Sequence, residues 1–408
     1  QQRARCIYLN RLALRCREQG LRCYLQAKEL SFPTELLLAH PELLDTPRGV
    51  RFDVDFWSRW LTDKIRAVCQ SVPALTGLII ALSSTDGLLP ISRPQWDRQH
   101  DDPRQPAQSL MLYRRCFNAL SQAVAAQNKH LVLRVFPASN DDLSAVLDAI
   151  EPLPPAVSVS IKLTPERFWP AFPNNPALLA VQTRDVWIDI DLAGEEVGWG
   201  VMPFLRIDEL QGRLLWCQSR NPRITGAICK TSWESIDNHW IPATLSECNL
   251  FACSQLLGEG AAKNQQQLLV QWLAQRYGWC PPAEVAQQFQ SLLEQATQTL
   301  YQSIYVRDHV FHRHSQLPES YGQAVWGLYG QLARSHWLPG SAQDIHFTRD
   351  DPQKSMANLT QIAQEKDEVA ASAQQLGKAA QAFALTADFP AALALRWREE
   401  WQGLALYC

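Results

Sequence analysis

Apolar residues recur along this chain in two periods. Short runs of β-branched and aliphatic residues, bounded by turn formers, occupy positions 21–27, 77–82, 130–136, 157–161, 186–192 and 224–229. Runs of that length and bounding predict buried strands. Between them, positions 3–18, 53–69, 110–125, 142–150, 249–257 and 265–277 carry the 3.6-residue repeat of amphipathic helices. Positions 201–206 read as a further strand or as a loop. Strand and helix alternate from about 21 to 257, which predicts a parallel sheet. Six to seven strands, with the chain opening on a helix rather than a strand, predict a (β/α)8 TIM-type barrel whose first strand is missing from the chain. A doubly wound open sheet is the alternative. Beyond about 281 the strand signal stops, and 282–303, 320–335, 351–384 and 391–401 read as helices. The expected domains are therefore a catalytic barrel over 1–280 and an all-helical region over 281–408, whose helices are expected to support a homodimer. No short-period internal repeat is present.

Composition narrows the class. The 408 residues are 46% hydrophobic, enough for a large core, and the formal net charge is -3. That balance speaks against nucleic-acid and membrane-surface partners. No apolar run is long enough to span a bilayer, and the opening QQRARC leads straight into a helix rather than a secretory leader. The 11 cysteines are odd in number and scattered without a C-x-x-C pair, the pattern of reduced thiols in a cytoplasmic protein. The 15 tryptophans suit either core packing or the stacking of sugar faces on indole.

Charge placement singles out residues 157–200. The run at 157–161 exits into Lys162 and then Glu166-Arg167. The run at 186–192 carries Asp189 and Asp191 and meets Glu195-Glu196. Charge at the exit of an apolar strand is costly to bury unless it is paired or does chemistry. Strand parity puts Trp187, Asp189 and Asp191 on one side and Val186, Ile188 and Ile190 on the other. An acidic row facing inward belongs at a barrel mouth, where the C-terminal strand ends build the active site. The long polar, proline-rich stretch 92–109 is a candidate loop over that mouth. Arg134, within Arg134-Val-Phe136, has the guanidinium fork that suits bidentate carboxylate recognition, or else neutralises the acidic mouth. Trp233, Trp240 and Trp199 follow strands and are candidate sugar platforms, with packing as the alternative; His239 next to Trp240 is a candidate proton donor. His309, His312 and His314 lack the carboxylate or cysteine pattern of a metal site, so no metal or other cofactor is expected. There is no glycine-rich phosphate loop and no serine nucleophile elbow.

In this order, the motifs resemble the family-67 glycoside hydrolases, the α-glucuronidases of xylan breakdown, from about Leu21 to Gly278. The resemblance rests on Ile161-Lys162-Leu-Thr-Pro165-Glu-Arg167-Phe168, on Ile188-Asp-Ile-Asp-Leu-Ala-Gly-Glu195-Glu-Val-Gly198, on Arg134-Val-Phe136 and on Asn249-Leu-Phe-Ala252. It implies an inverting hydrolase of a uronic-acid-bearing oligosaccharide or polysaccharide, with carboxyl groups roughly 6.5–9.5 Å apart. By the same resemblance, the general-acid position falls on Asp86, where the family has Glu. One base position falls on Glu195. The other falls on Arg167, which cannot accept a proton, so the neighbouring Glu166 is the candidate there. Arg134 and Lys162 match the residues that hold the uronate carboxylate. The candidate set is thus Glu195, Asp86 and Glu166 for catalysis, with Arg134, Lys162, Asp189, Asp191, Arg167, Trp233 and Trp240 for substrate. Two other readings stay open: a Schiff-base lyase or aldolase using Lys162, and a carbohydrate-binding pseudoenzyme, which Arg167 at a base position favours.

Overall fold

The structure, a computed structural model, describes residues 2–408 except 34, 46–48, 52, 82–105, 136–139, 166–167, 170–171, 197–201, 233–240, 243, 260–262, 307–308, 311–319 and 321–351. Six strands, β1 (Tyr24–Lys28), β2 (Gly77–Ala81), β3 (His130–Val135), β4 (Ser158–Lys162), β5 (Val186–Asp191) and β6 (Ile224–Lys230), form one sheet in that order. The pairs β1–β2, β2–β3 and β3–β4 are parallel, with Tyr24 opposite Gly77, Gly77 opposite His130 and Arg134 opposite Ser160. Every crossover passes through helix, as parallel pairing requires. The protein is therefore α/β, as the alternation predicts. Among the described residues, β1 and β6 are the sheet's two edges, and no pairing closes them into a ring of eight. Residues 202–206, ambiguous in the sequence, are loop.

The chain divides into two compact units. One comprises Gln1–Lys162, Pro176–Ile188 and Asn221–Ile228; the other comprises Leu163–Asn175, Asp189–Arg220 and Cys229–Cys408. The dividing line passes through β5 and β6, so the C-terminal ends of those strands belong to the second unit.

In the first unit, one face of the sheet is apolar. Leu78 and Ile80, Leu131, Leu133 and Val135, Val159 and Ile161 are all buried there. The helix α1 (Gln2–Glu18) precedes β1, and α2 (Phe56–Ser71), α3 (Pro106–Ala125) and α4 (Asn140–Ile150) lie between the strands in the chain. Trp57, Leu61, Ile65 and Cys69 recur every four residues along α2 and are buried, giving the stripe that packs against α3. The opposite sheet face is mixed: His130 and Arg134 on β3 and Ser158, Ser160 and Lys162 on β4 share it with the buried Ile79 and Val132. At its start, His130 bridges Tyr24 Oη and Ser158 Oγ, each at 3.0 Å, with the Trp187 ring edge-on to both Tyr24 and His130. Gly77 must lack a side chain, because a Cβ there would stand 2.3 Å from the His130 carbonyl oxygen.

The second unit is mostly helix: α5 (Ile207–Gln218), α6 (Glu247–Glu259), α7 (Gln265–Tyr277), α8 (Ala283–Ile304), α9 (Pro352–Thr386) and α10 (Ala391–Tyr407). Asn264 caps α7, its Oδ1 accepting from Gln267 N, and Gly278 ends it in the left-handed region at φ 64°. An aromatic core joins α8, α9 and α10: Phe289, Phe383, Phe389, Trp397 and Trp401 meet with ring centroids 4.8–6.0 Å apart. No described helix is long and apolar enough to cross a membrane.

Candidate active site

The site is built where β5 runs out. Its last residue, Asp191, is buried, and both carboxylate oxygens accept backbone N–H groups of the following turn: Oδ1 from Ala193 at 3.0 Å and Oδ2 from Glu195 at 2.7 Å. Gly194 supplies the left-handed residue of that turn, at φ 71°. An aspartate holding the amides two and four residues on is the local device that folds such a turn. It sets the direction in which Glu195 leaves the strand.

Glu195 is itself buried, at 6% exposure, and its Oε2 accepts from Lys230 Nζ at 3.0 Å. Lys230 is the last residue of β6, and its carbonyl accepts from Leu192 N at 2.9 Å, tying the two strand ends together. Lys230 is thus the ion-pair partner of Glu195. The signal for Lys230 is present in the sequence, since Ile-Cys-Lys closes β6 as Ser-Ile-Lys closes β4.

Burial, and then the Glu195 charge, push the Asp191 carboxyl up to about 6, against the opposing pull of Lys230 and Arg206. Arg206 sits behind the turn. Its Nη1 donates to Asp191 O at 2.6 Å, and its Nε and Nη2 fork onto Glu209 at 2.8 and 3.0 Å. Glu209 also accepts from Arg213 Nε at 2.8 Å, and Arg213 extends to Asn174 Oδ1 and Phe172 O, both at 2.9 Å. Burial alone would raise the Glu209 carboxyl; the two guanidiniums outweigh it and hold Glu209 below its usual range. Burial and Glu209 together raise the Tyr301 hydroxyl, 3.5 Å away. Asn249, the first residue of the Asn-Leu-Phe-Ala motif, pins this loop by accepting from Arg206 N and donating to Phe204 O, both at 2.7 Å. Sequence reasoning missed the Arg206–Glu209–Arg213 cluster; its only trace is the i, i+3, i+7 spacing on α5.

In the first unit, Arg134 and Lys162 leave the same sheet face. Lys162 is buried and Arg134 half-buried, on adjacent strands two residues out of register. Asp189 is buried on the Asp191 side of β5, its carbonyl accepting from Leu163 N at 3.0 Å. Asp86, Glu166, Arg167, Trp199, Trp233, Trp240, His239, His312 and His314 lie outside the described residues. Among the described residues no three His, Cys, Asp or Glu side chains converge on a metal-sized site.

No family profile and no curated protein matches the sequence. In three dimensions the chain is similar to a solved structure described as a GH138 enzyme targeting pectin rhamnogalacturonan II, with a TM-score of 0.56 and 12% identity. The match covers 99% of this chain and 47% of that one, so this chain spans about half the length of its structural neighbour. The likeness is one of fold.

Proposed function

We propose that this protein is a glycoside hydrolase acting on a uronic-acid-bearing glycan. The observation that carries the reading is Glu195: a buried carboxylate just past a parallel strand, aimed by Asp191 and held by Lys230. The fold shared with a pectin-directed glycosidase supports it. So does the barrel rule that chemistry sits at the C-terminal strand ends, and we read the six-stranded sheet as part of a (β/α)8 barrel on that basis.

In this reading Glu195 is the general base and Lys230 holds it in place at 3.0 Å. Glu195 takes a proton from water as the water oxygen bonds to the anomeric carbon. Asp86 gives a proton to the departing glycosidic oxygen, and Glu166 serves as the second base in place of Arg167. Arg134 and Lys162 bind the uronate carboxylate; Trp233 and Trp240 stack the sugar rings. Asp189 lines the site, and Asp191 orients Glu195. A xylan-type glucuronic acid side chain is the finer assignment.

Proton NMR with glucuronic-acid-decorated xylo-oligosaccharides, and in parallel with uronic-acid-containing pectic oligosaccharides, tests this. Early appearance of the inverted anomer from either glycan is expected, with none from the Glu195→Gln variant. Binding of both glycans without release from either would overturn the hydrolase in favour of a carbohydrate-binding protein.

A further inference from the structure

Cys229 and Cys253 have no part in the chemistry above. Cys229 is the penultimate residue of β6 and is half-buried; Cys253 lies in α6 and is fully buried. Their sulfurs stand 3.9 Å apart, with either thiol able to donate to the other. A disulfide requires about 2.05 Å between sulfurs, so the two need to close by less than the length of one residue. The described thiols at Cys69, Cys116, Cys217 and Cys248 are buried and raised by that burial, which makes them inert. Cys229 differs: the hydrogen bond from Cys253 lowers its thiol, while Cys253 is raised.

We propose that Cys229 and Cys253 form a reversible dithiol–disulfide switch that takes a small-molecule disulfide as its oxidant and acts on the Lys230–Glu195 ion pair. The Cys229 thiolate attacks one sulfur of the small disulfide, and the first small thiol leaves with a proton. Once the Cys229 sulfur is capped, its hydrogen bond and charge no longer hold the Cys253 thiol up; Cys253 then attacks the Cys229 sulfur, and the second small thiol leaves with the Cys253 proton. The two protein thiols are oxidised to one cystine, and the small disulfide is reduced to two thiols. Cys229 and Lys230 are consecutive on one strand, so their side chains leave opposite faces. Drawing the Cys229 sulfur toward α6 therefore moves the strand end away from the side on which Lys230 meets Glu195. The effect on turnover rests on the glycosidase reading; the thiol chemistry does not.

The full-length protein is incubated with oxidised glutathione and digested, and its cysteines are assigned by mass spectrometry with fragmentation. A Cys229–Cys253 cross-link that a reductant reverses is the expected result. Glutathione retained on Cys229 with Cys253 still alkylable, or no modification at Cys229, would overturn the switch. Hydrolysis of the acidic glycan should fall several-fold on cross-linking and return on reduction, while Cys229→Ser and Cys253→Ala variants keep their rate through the oxidant. Unchanged hydrolysis in fully cross-linked wild type overturns the regulatory role. Absence of hydrolysis before any oxidant is added would sink the glycosidase reading instead, and the cysteine map would still decide the dithiol.

Discussion

Glu195 meets the Lys230 ammonium at 3.0 Å, in a buried place where an unpaired carboxylate would be costly. Two outcomes follow at this scale. Glu195→Gln keeps the shape and removes the proton acceptor, so turnover should drop by about 10²–10⁴-fold with glycan affinity retained, as read by single-turnover kinetics beside calorimetry. Lys230→Met removes the salt-bridge partner at the end of β6, so turnover should fall several-fold with glycan affinity retained, as read by the same kinetics. Unchanged turnover would show that Lys230 does not hold Glu195 in place. The sequence displayed half of this pair. Glu195 was legible from its place after an acidic strand, whereas Lys230 lies 35 residues on and meets it only through sheet pairing.

The strands were the most legible elements. Val186–Asp191 and His130–Val135 fall within a residue of the expected runs, because a buried parallel strand must be apolar over nearly its whole length. α5 has no counterpart among the predicted helices, although Ile207, Leu210, Leu214 and Cys217 make a buried stripe along it. Gly212 in its middle weakens the local helical signal. Arg184 was equally hidden. Its guanidinium donates to the carbonyls of Glu151, Leu153, Pro154 and Val157 at 3.0–3.4 Å, fastening the turn that launches β4. A lone arginine before a strand reads as surface charge, and four carbonyls gathered around it are a tertiary fact. Arg184→Leu should destabilise the protein by about 3 kcal/mol or more, since it strands buried acceptors, as measured by urea unfolding. A change under a few tenths would mean that water replaces the guanidinium.

Across the whole molecule, the buried acids set how stability varies with pH. Glu400 on α10 is buried; its Oε1 accepts from Leu245 N at 2.7 Å, while its Oε2 has no hydrogen-bond partner. Burial pushes the carboxyl from 4.5 up to about 8, opposed by the Leu245 bond and Arg396 and aided by Glu399. A raised acid favours the fold while protonated. Its contribution is full below about pH 4.5 and is lost as pH rises through about 8. Asp191 acts in the same direction over a lower window, from 3.8 to about 6. The melting temperature should therefore decline between pH 5 and 9, and Glu400→Gln should flatten that decline; parallel curves would contradict the assignment. The line that divides the two compact units has a separate outcome. It crosses β5 and β6, and each unit takes up chain from both sides of the exposed turn at Ser219 and Arg220. A tryptic nick after Arg220 would yield two fragments, each holding pieces of both units, so neither fragment should survive as a free-standing product. The nicked protein should travel as one species through a sizing column and come apart only in denaturant. Any gene-splitting or chimera scheme for this chain has to exchange interlaced segments rather than a front and a back half.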